Sequence, residues 1–234
     1  MAPFEPTITH ARSLRALAAL LAYPDERLHQ QLEALREVLH ADPTLMGPAL
    51  TGLDALLDWL RDVDPLAAQA HYVELFDRGR ATSLHLFEHV HGDSRDRGPA
   101  MIDLAQTYAQ AGLLLRQGEL PDYLPVALEF ASTQPLATAQ AFLGEMAHIL
   151  NAVLSALQAR RSPYAGVLTA VLVAAGSPIT PVAVPPDVPL DASWAEPEAF
   201  GGCNSAGQNR PGAPQPIQFV NKSARAAGAA ALGA

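Results

Sequence analysis

Residues 13–26 run Ser13-Leu14-Arg15-Ala16-Leu17-Ala18-Ala19-Leu20-Leu21-Ala22-Tyr23-Pro24-Asp25-Glu26, and this stretch decides the fold class. Leu14, Leu17, Leu20 and Leu21 recur at three- and four-residue intervals, the period of one buried helix face. The run breaks at Pro24 and restarts with two acids. Proline suits the first turn of a helix because its missing N–H has no partner there, and carboxylates meet the positive helix end. Leu28, Leu32, Leu35 and Leu39 then continue the same period. Two amphipathic helices joined by a tight turn are the start of a helical bundle. His10, Arg12 and Arg15 ahead of the apolar run look a little like a short signal peptide. The leucine stripe, and the lack of a small-residue cleavage site before Pro24, favour a first core helix instead.

Outward from there the pattern repeats. Leu53, Leu56, Leu57 and Leu60 give a third helix over about 48–61, and Asp64-Pro65 starts a fourth that ends near Phe76. Further helices are expected over about 82–91, from Pro99 to near Gln117, and over about 123–132, 135–161 and 164–175. The expectation is therefore an all-α, single-domain bundle of about eight or nine helices within residues 1–175. Beyond Gly176 the texture changes, because nine of the 20 prolines fall there. Proline at that density forbids continuous helix and favours extended chain. Residues 176–222 read as an extended Pro-rich tail that docks in part through Trp194, Phe200, Ile217, Phe219 and Val220. Residues 223–234, Ala/Gly-rich without an apolar face, read as disordered.

Composition excludes several classes. Among 234 residues, 49 % are hydrophobic and only 6 % aromatic, so a core dominated by Ala and Leu is expected, and a large sheet is not. The net charge of −9 repels phosphate and makes nucleic acid a poor partner, whereas a cationic partner is attracted. No apolar stretch reaches the roughly 18 residues that span a bilayer. The single cysteine, Cys203, fits a reducing compartment, and a cytoplasmic location is expected.

Few residues look catalytic. His85-Leu86-Phe87-Glu88-His89 puts two histidines four apart, on one face if the segment is helical, with Glu88 between them. A metal-dependent enzyme built on His85 and His89 is therefore one alternative, although the order differs from the His-Glu-x-x-His of zinc hydrolases and no third ligand follows by spacing. Phosphate-loop, dinucleotide and nucleophile-elbow motifs are absent. Cys203 sits in a Gly-flanked, Pro-rich stretch that is a poor place to hold a nucleophile. A generic helical adaptor is the other alternative. Polar residues concentrate in the middle of the chain. Asp93 and Asp96 are placed to cap the following helix, and Arg95 and Arg97 to tie loops to acids.

Four motifs in that region carry a resemblance. Tyr72-Val73-Glu74-Leu75-Phe76-Asp77, Ser83-Leu84-His85-Leu86, Gly92-Asp93-Ser94-Arg95-Asp96-Arg97-Gly98 and Glu119-Leu120-Pro121-Asp122-Tyr123-Leu124-Pro125 resemble, in order and spacing, the nitrate reductase delta subunit family. The likeness covers about 14–175. It implies the TorD- and DmsD-like helical bundle of the redox-enzyme maturation chaperones, and no catalysis. It implies a system-specific chaperone that binds the N-terminal leader-like segment of the apo catalytic alpha subunit of a nitrate reductase. The client would be kept competent for molybdenum cofactor insertion before membrane docking. The chaperone would bind no cofactor stably, and cofactor biosynthesis proteins are candidate further partners.

Related chaperones carry a Glu-x-Pro-Asp-His type motif near the leader groove. Glu119, Pro121 and Asp122 match it and Tyr123 replaces the histidine, as expected for the nitrate reductase branch. The residues expected to contact the client peptide are Tyr72, Glu74, Phe76, Asp77, Ser83, His85, Asp93, Arg95, Arg97, Glu119, Pro121, Asp122 and Tyr123. The bottom-up reading runs beside this. A receptor for a basic, amphipathic segment needs an apolar groove edged by acids, and Glu74, Asp77, Glu119 and Asp122 are candidates for the edge.

Overall fold

Two helix starts are set by the side chains that cap them. Asp25 accepts the Leu28 N–H at 2.9 Å and opens α2 (Glu26–His40), so Pro24 lies just before the cap rather than in the first turn. Asp64 accepts the N–H groups of Leu66 and Ala67 at 3.0 and 3.1 Å and opens α4 (Pro65–Tyr72), whose first residue is proline as expected. Each such cap satisfies donors that the helix itself leaves free, a contribution of about 1 kcal/mol. The computed structural model describes residues 5–92 and 94–184. The expected partial docking of the tail through Trp194, Phe200 and Val220, the disorder of residues 223–234, and Cys203 and Asp93 all lie outside the described residues.

Among the described residues there are ten α-helices, and the single pair of bridging backbone segments is an isolated one at His85 and Tyr123. Besides α2 and α4 they are α1 (Glu5–Leu21), α3 (Pro48–Asp62), α5 (Leu86–His91), α6 (Arg97–Gln110), α7 (Leu124–Ser132), α8 (Leu136–Glu145), α9 (Ala147–Ala159) and α10 (Ala165–Ala174). A π-helical turn, Val73–Asp77, continues α4, and a 3₁₀ turn spans Arg80–Thr82. The all-helical expectation holds, and three of its boundaries move for physical reasons.

The helix expected over 82–91 begins only at Leu86, because Ser83 to His85 are drawn into the bridge to Tyr123. The helix expected to reach Gln117 stops at Gln110. Gly112 adopts φ +83° there, and the N–H groups of Gly112 and Leu113 turn back to the carbonyls of Ala109 and Tyr108 at 3.0 and 2.9 Å. That pair of reversed bonds is the usual glycine stop signal. The helix expected over 135–161 divides at Met146. Gly144 weakens it there, and the halves bury different faces: Ala139 and Leu143 of α8 face α7 and α10, whereas Ile149, Leu150, Val153, Leu154 and Leu157 of α9 line the core beside α10.

The core forms around α1. Leu14, Leu17, Leu20 and Leu21 are fully buried, and α1 packs on α2, α7 and α10. Each such leucine contributes about 2 kcal/mol through removal of apolar surface from water. Helix α10 lies against α3 so closely that a methyl group on Gly52 would sit 2.8 Å from the Gly166 Cα, and only two glycines allow that crossing. Trp59, Tyr72, Phe76 and Tyr164 add an aromatic cluster of edge and tilted contacts at 4.8–6.2 Å. A second, smaller core gathers Tyr108, Val126 and Phe130 with Leu104, Leu113, Leu115 and Phe142, and it fastens α6 beside α7. No helix among the described residues is long and apolar enough to cross a membrane.

Candidate functional site

The four sequence motifs meet in space. The Leu86 N–H donates to the Asp122 carbonyl and the Leu124 N–H to the Leu84 carbonyl, both at 2.9 Å. This zips the Ser83–Leu86 motif onto the Glu119–Pro125 motif. Ser83 Oγ donates to Glu88 at 2.6 Å, and the ring of His89 meets the Ser83 carbonyl through Nε2 at 2.9 Å. Arg97, from the Gly92–Gly98 motif, reaches both Glu88 and Asp122 at 3.5 Å. The fourth motif joins through hydroxyls: Tyr72 donates to the Leu21 carbonyl at 2.8 Å, and its oxygen lies 3.0 Å from that of Tyr123.

Asp122 is the centre of this lock. It is fully buried and accepts from the Phe87 N–H at 3.2 Å, with His85 Nδ1 at 3.4 Å. Burial alone would raise its pKa. His85, the Phe87 N–H and Arg97 outweigh that and hold the carboxyl below its ordinary value. The hydrogen bond to Asp122 in turn raises the pKa of His85, against desolvation. A fully buried carboxylate held by three of its own donors exposes no oxygen to a partner, and its loss would strand Arg97 and leave His85 without its acceptor.

The expected contact residues fall into two groups. Tyr72, Phe76, Ser83, Pro121 and Asp122 are buried in the chain by itself. Motif density does not say which way side chains face. Burial also raises the Tyr72 hydroxyl far above its ordinary pKa, so it stays protonated. His85 and His89 do not share a helical face: His85 precedes α5, and their rings serve Asp122 and the Ser83 carbonyl. Among the described residues no three His, Cys, Asp or Glu side chains converge as metal ligands. Asp96 makes no side-chain cap. Instead the Ser94 hydroxyl accepts the Asp96 N–H at 3.2 Å, and Arg95 is exposed without an ion pair among the described residues. Glu119 is exposed and accepts the Arg116 N–H at 2.9 Å, closing its own turn.

Accessible surface lies beside the lock. A cleft of about 370 Å³ is lined by Tyr23, Gln69, Ala70, Val73, Glu74 and Arg78. Half of that lining, Tyr23, Ala70 and Val73, is apolar or aromatic, and Leu66, 74 % exposed, stands one turn earlier on the same face of α4 as Ala70 and Val73. Gln69 ties one wall to the other by donating to the Pro24 carbonyl at 3.1 Å. Glu74 and Arg78 pair across the end at 3.1 Å while remaining exposed, and burial raises the pKa of the neighbouring Tyr123, with the charge of exposed Asp77 adding to it. The π-helical turn Val73–Asp77 forms this end, and such turns recur at functional sites. Of the residues expected from sequence to contact a client, Glu74 lines this cleft and Asp77 belongs to the same turn; Tyr23, Gln69, Ala70, Val73 and Arg78 were not among them. The available signal was Leu66, Ala70 and Val73, an apolar i, i+4, i+7 stripe with no need to be buried.

Comparison with known proteins adds an independent line. The family model described as nitrate reductase delta subunit matches residues 22–170. The nitrate reductase molybdenum cofactor assembly chaperone NarJ of Escherichia coli (strain K12) is 48 % identical over 149 residues, 64 % of this chain and 63 % of that protein. The probable chaperone of the same description, NarW, from the same strain is 39 % identical over 193 residues, covering 78 % of this chain and 80 % of that one. The probable NarJ of Bacillus subtilis (strain 168) is 30 % identical over 161 residues, 68 % of this chain and 85 % of that one. The NarJ alignment thus spans under two thirds of that relative's length.

Proposed function

We propose, for a chain that belongs to the nitrate reductase delta subunit family, that it is an assembly chaperone and not an enzyme. Its client is the apo catalytic alpha subunit of a nitrate reductase. It holds the N-terminal leader-like segment of that subunit in the cytoplasm while the molybdenum cofactor is inserted, before the client docks at the membrane. The names of the relatives support the chaperone role, and the cleft beside α4 supports the mode of binding.

The observation that carries this reading is the chemistry of the cleft. An apolar floor of Tyr23, Ala70 and Val73, extended by Leu66, suits the greasy face of a short amphipathic helix. Glu74 and Asp77 at the end attract its cationic head, helped by a chain of net charge −9. Arg78, already paired with Glu74, is displaced toward solvent when a client cation takes the carboxylate. The buried lock of Asp122, His85 and Arg97 touches no client in this scheme. It holds the loops that keep the floor in place.

Calorimetric titration of the full chain with a synthetic alpha-subunit N-terminal peptide tests this. Val73→Asp and Glu74→Lys should each weaken binding about tenfold or more, a loss of ~1.4 kcal/mol or more, with the far-ultraviolet circular dichroism unchanged. No heat at about 100 μM peptide with a folded parent would overturn the client assignment. Parent-like binding by both variants would move the groove elsewhere.

A further inference from the structure

A second cavity, of about 90 Å³, lies where α1, the loop between α2 and α3, α8 and α10 come together. Its walls combine His10 and Asp42 with the apolar surfaces of Pro43, Leu136 and Val173. Asp42 folds the loop. Its Oδ1 accepts the Thr44 N–H at 2.9 Å and the Thr44 hydroxyl at 2.7 Å. These two bonds fix the carboxylate and leave Oδ2 outside the turn.

Asp42 Oδ2 and His10 Nε2 are both buried, and neither has a hydrogen-bond partner among the described residues. The two residues are only 3 and 7 % exposed, so bulk water does not serve them. The donors around them are committed elsewhere. The Thr44 hydroxyl serves Oδ1, Gln140 directs its amide nitrogen to the Ala174 carbonyl at 3.4 Å, and the neighbouring Ser13 hydroxyl donates to the Thr9 carbonyl at 3.1 Å. Burial lowers the pKa of His10 against the pull of Asp42, so the ring is neutral near pH 7 and brings no positive charge. Burial alone would raise the pKa of Asp42, but Ser13, Thr44 and His10 outweigh it and the carboxyl stays ionised. A buried carboxylate costs free energy that a paired, donating cation offsets.

We infer that this cavity is a binding site for a primary alkylammonium ion. An ammonium gathers three N–H donors on one atom, enough to serve Oδ2 together with Nε2 when the ring proton sits on Nδ1. Its carbon stem lies against Pro43, Leu136 and Val173. The cavity holds about three waters' share of volume, the bulk of an ammonium on a short stem. A guanidinium spreads five N–H donors over a plane, more than these two acceptors take, and the surplus would face apolar wall. A metal ion needs a further anionic or imidazole ligand, and no third such side chain converges here among the described residues. The site shares no residue with the cleft beside α4 and stands whether or not that cleft holds a client.

The test titrates the full chain with n-propylammonium chloride and follows the backbone amide NMR signals of Thr44 and Val173. Tetramethylammonium chloride, a cation without N–H donors, is the control. Propylammonium should give saturable shifts with a dissociation constant of about 1–10 mM, and tetramethylammonium none. Asp42→Asn should weaken binding about tenfold or more. Val173→Phe, which fills the cavity and keeps the Asp42 turn, should do the same and serves should Asp42→Asn fail to fold. Nα-acetyl-lysine methylamide separates the sources of the ammonium. Binding as tight as that of propylammonium marks a lysine side chain of a partner, and binding of propylammonium alone marks a free amine. No saturable shift at about 100 mM propylammonium, an equal response to tetramethylammonium, tighter binding of propylguanidinium, or parent-like binding by both variants would each overturn the inference.

Discussion

The hydroxyl oxygens of Tyr72 and Tyr123 lie 3.0 Å apart, and both face the carbonyl of Leu21, at 2.8 and 3.5 Å. One buried carbonyl at the end of α1 is thus shared by the first motif and the last. Tyr72→Phe leaves that carbonyl with its weaker donor and should cost about 1–2 kcal/mol. Tyr123→Phe should cost less. The double variant should show a coupling of about 0.5 kcal/mol or more in a denaturant-unfolding cycle, and strict additivity would contradict the shared acceptor.

Asp122 lies at the centre of the motif region as a buried anchor. Asp122→Ala strands His85 and Arg97 and frees the Phe87 N–H. It should cost about 3 kcal/mol, the lower end for a broken buried pair because Arg97 and His85 are both partly exposed. Hydrogen exchange across α5 should accelerate first. Glu119→Ala, on the exposed turn, should leave the unfolding midpoint within experimental error. Equal effects from the two would contradict the assigned burial.

The same pair sets a pH dependence. His85 titrates above its ordinary 6.5 in the folded chain, so its contribution is complete below that value and fades as pH rises through the raised one. Asp122 titrates below its ordinary 3.8, so its contribution is complete above that value and fades as pH falls through the lowered one. The His85 contribution should therefore fall from mildly acid to mildly alkaline pH, against an opposite trend from His10, whose burial lowers its pKa. His85→Gln should flatten that slope, measured as the urea midpoint at several pH values. A parent and variant with parallel slopes would count against the His85–Asp122 link.

Gly52 and Gly166 meet where α3 crosses α10. Gly52→Ala inserts a methyl against backbone atoms that have no rotamer to yield. It should destabilise by about 1–3 kcal/mol despite the better helix propensity of alanine, and thermal unfolding reads the sign directly.

Arg161 holds φ +53° at the end of α9. Its N–H and that of Ser162 turn back to the carbonyls of Gln158 and Leu157, both at 2.9 Å, the stop that glycine usually makes. Arg161→Gly should stabilise by about 0.5–1 kcal/mol, since the left-handed conformation costs a side chain more than glycine loses in entropy. A lowered unfolding midpoint would refute this.

The leucine period of α1 and α2, the helix restart after Pro24, and the aspartate–proline start of α4 were legible because each is a relation between residues a few positions apart. Local rules of helix spacing and capping operate on neighbours, and those a sequence displays directly. The motifs around Ser83, Arg97 and Asp122 were legible as a family signature, but their roles were not. Whether a carboxylate edges a groove or lies buried beneath one depends on what packs over it from distant parts of the chain. Only the tertiary fold brought Asp122 against His85 and Phe87, and left Leu66, Ala70, Val73 and Tyr23 uncovered around Glu74. Burial is a property of the assembled bundle, and no single stretch of it contains that information.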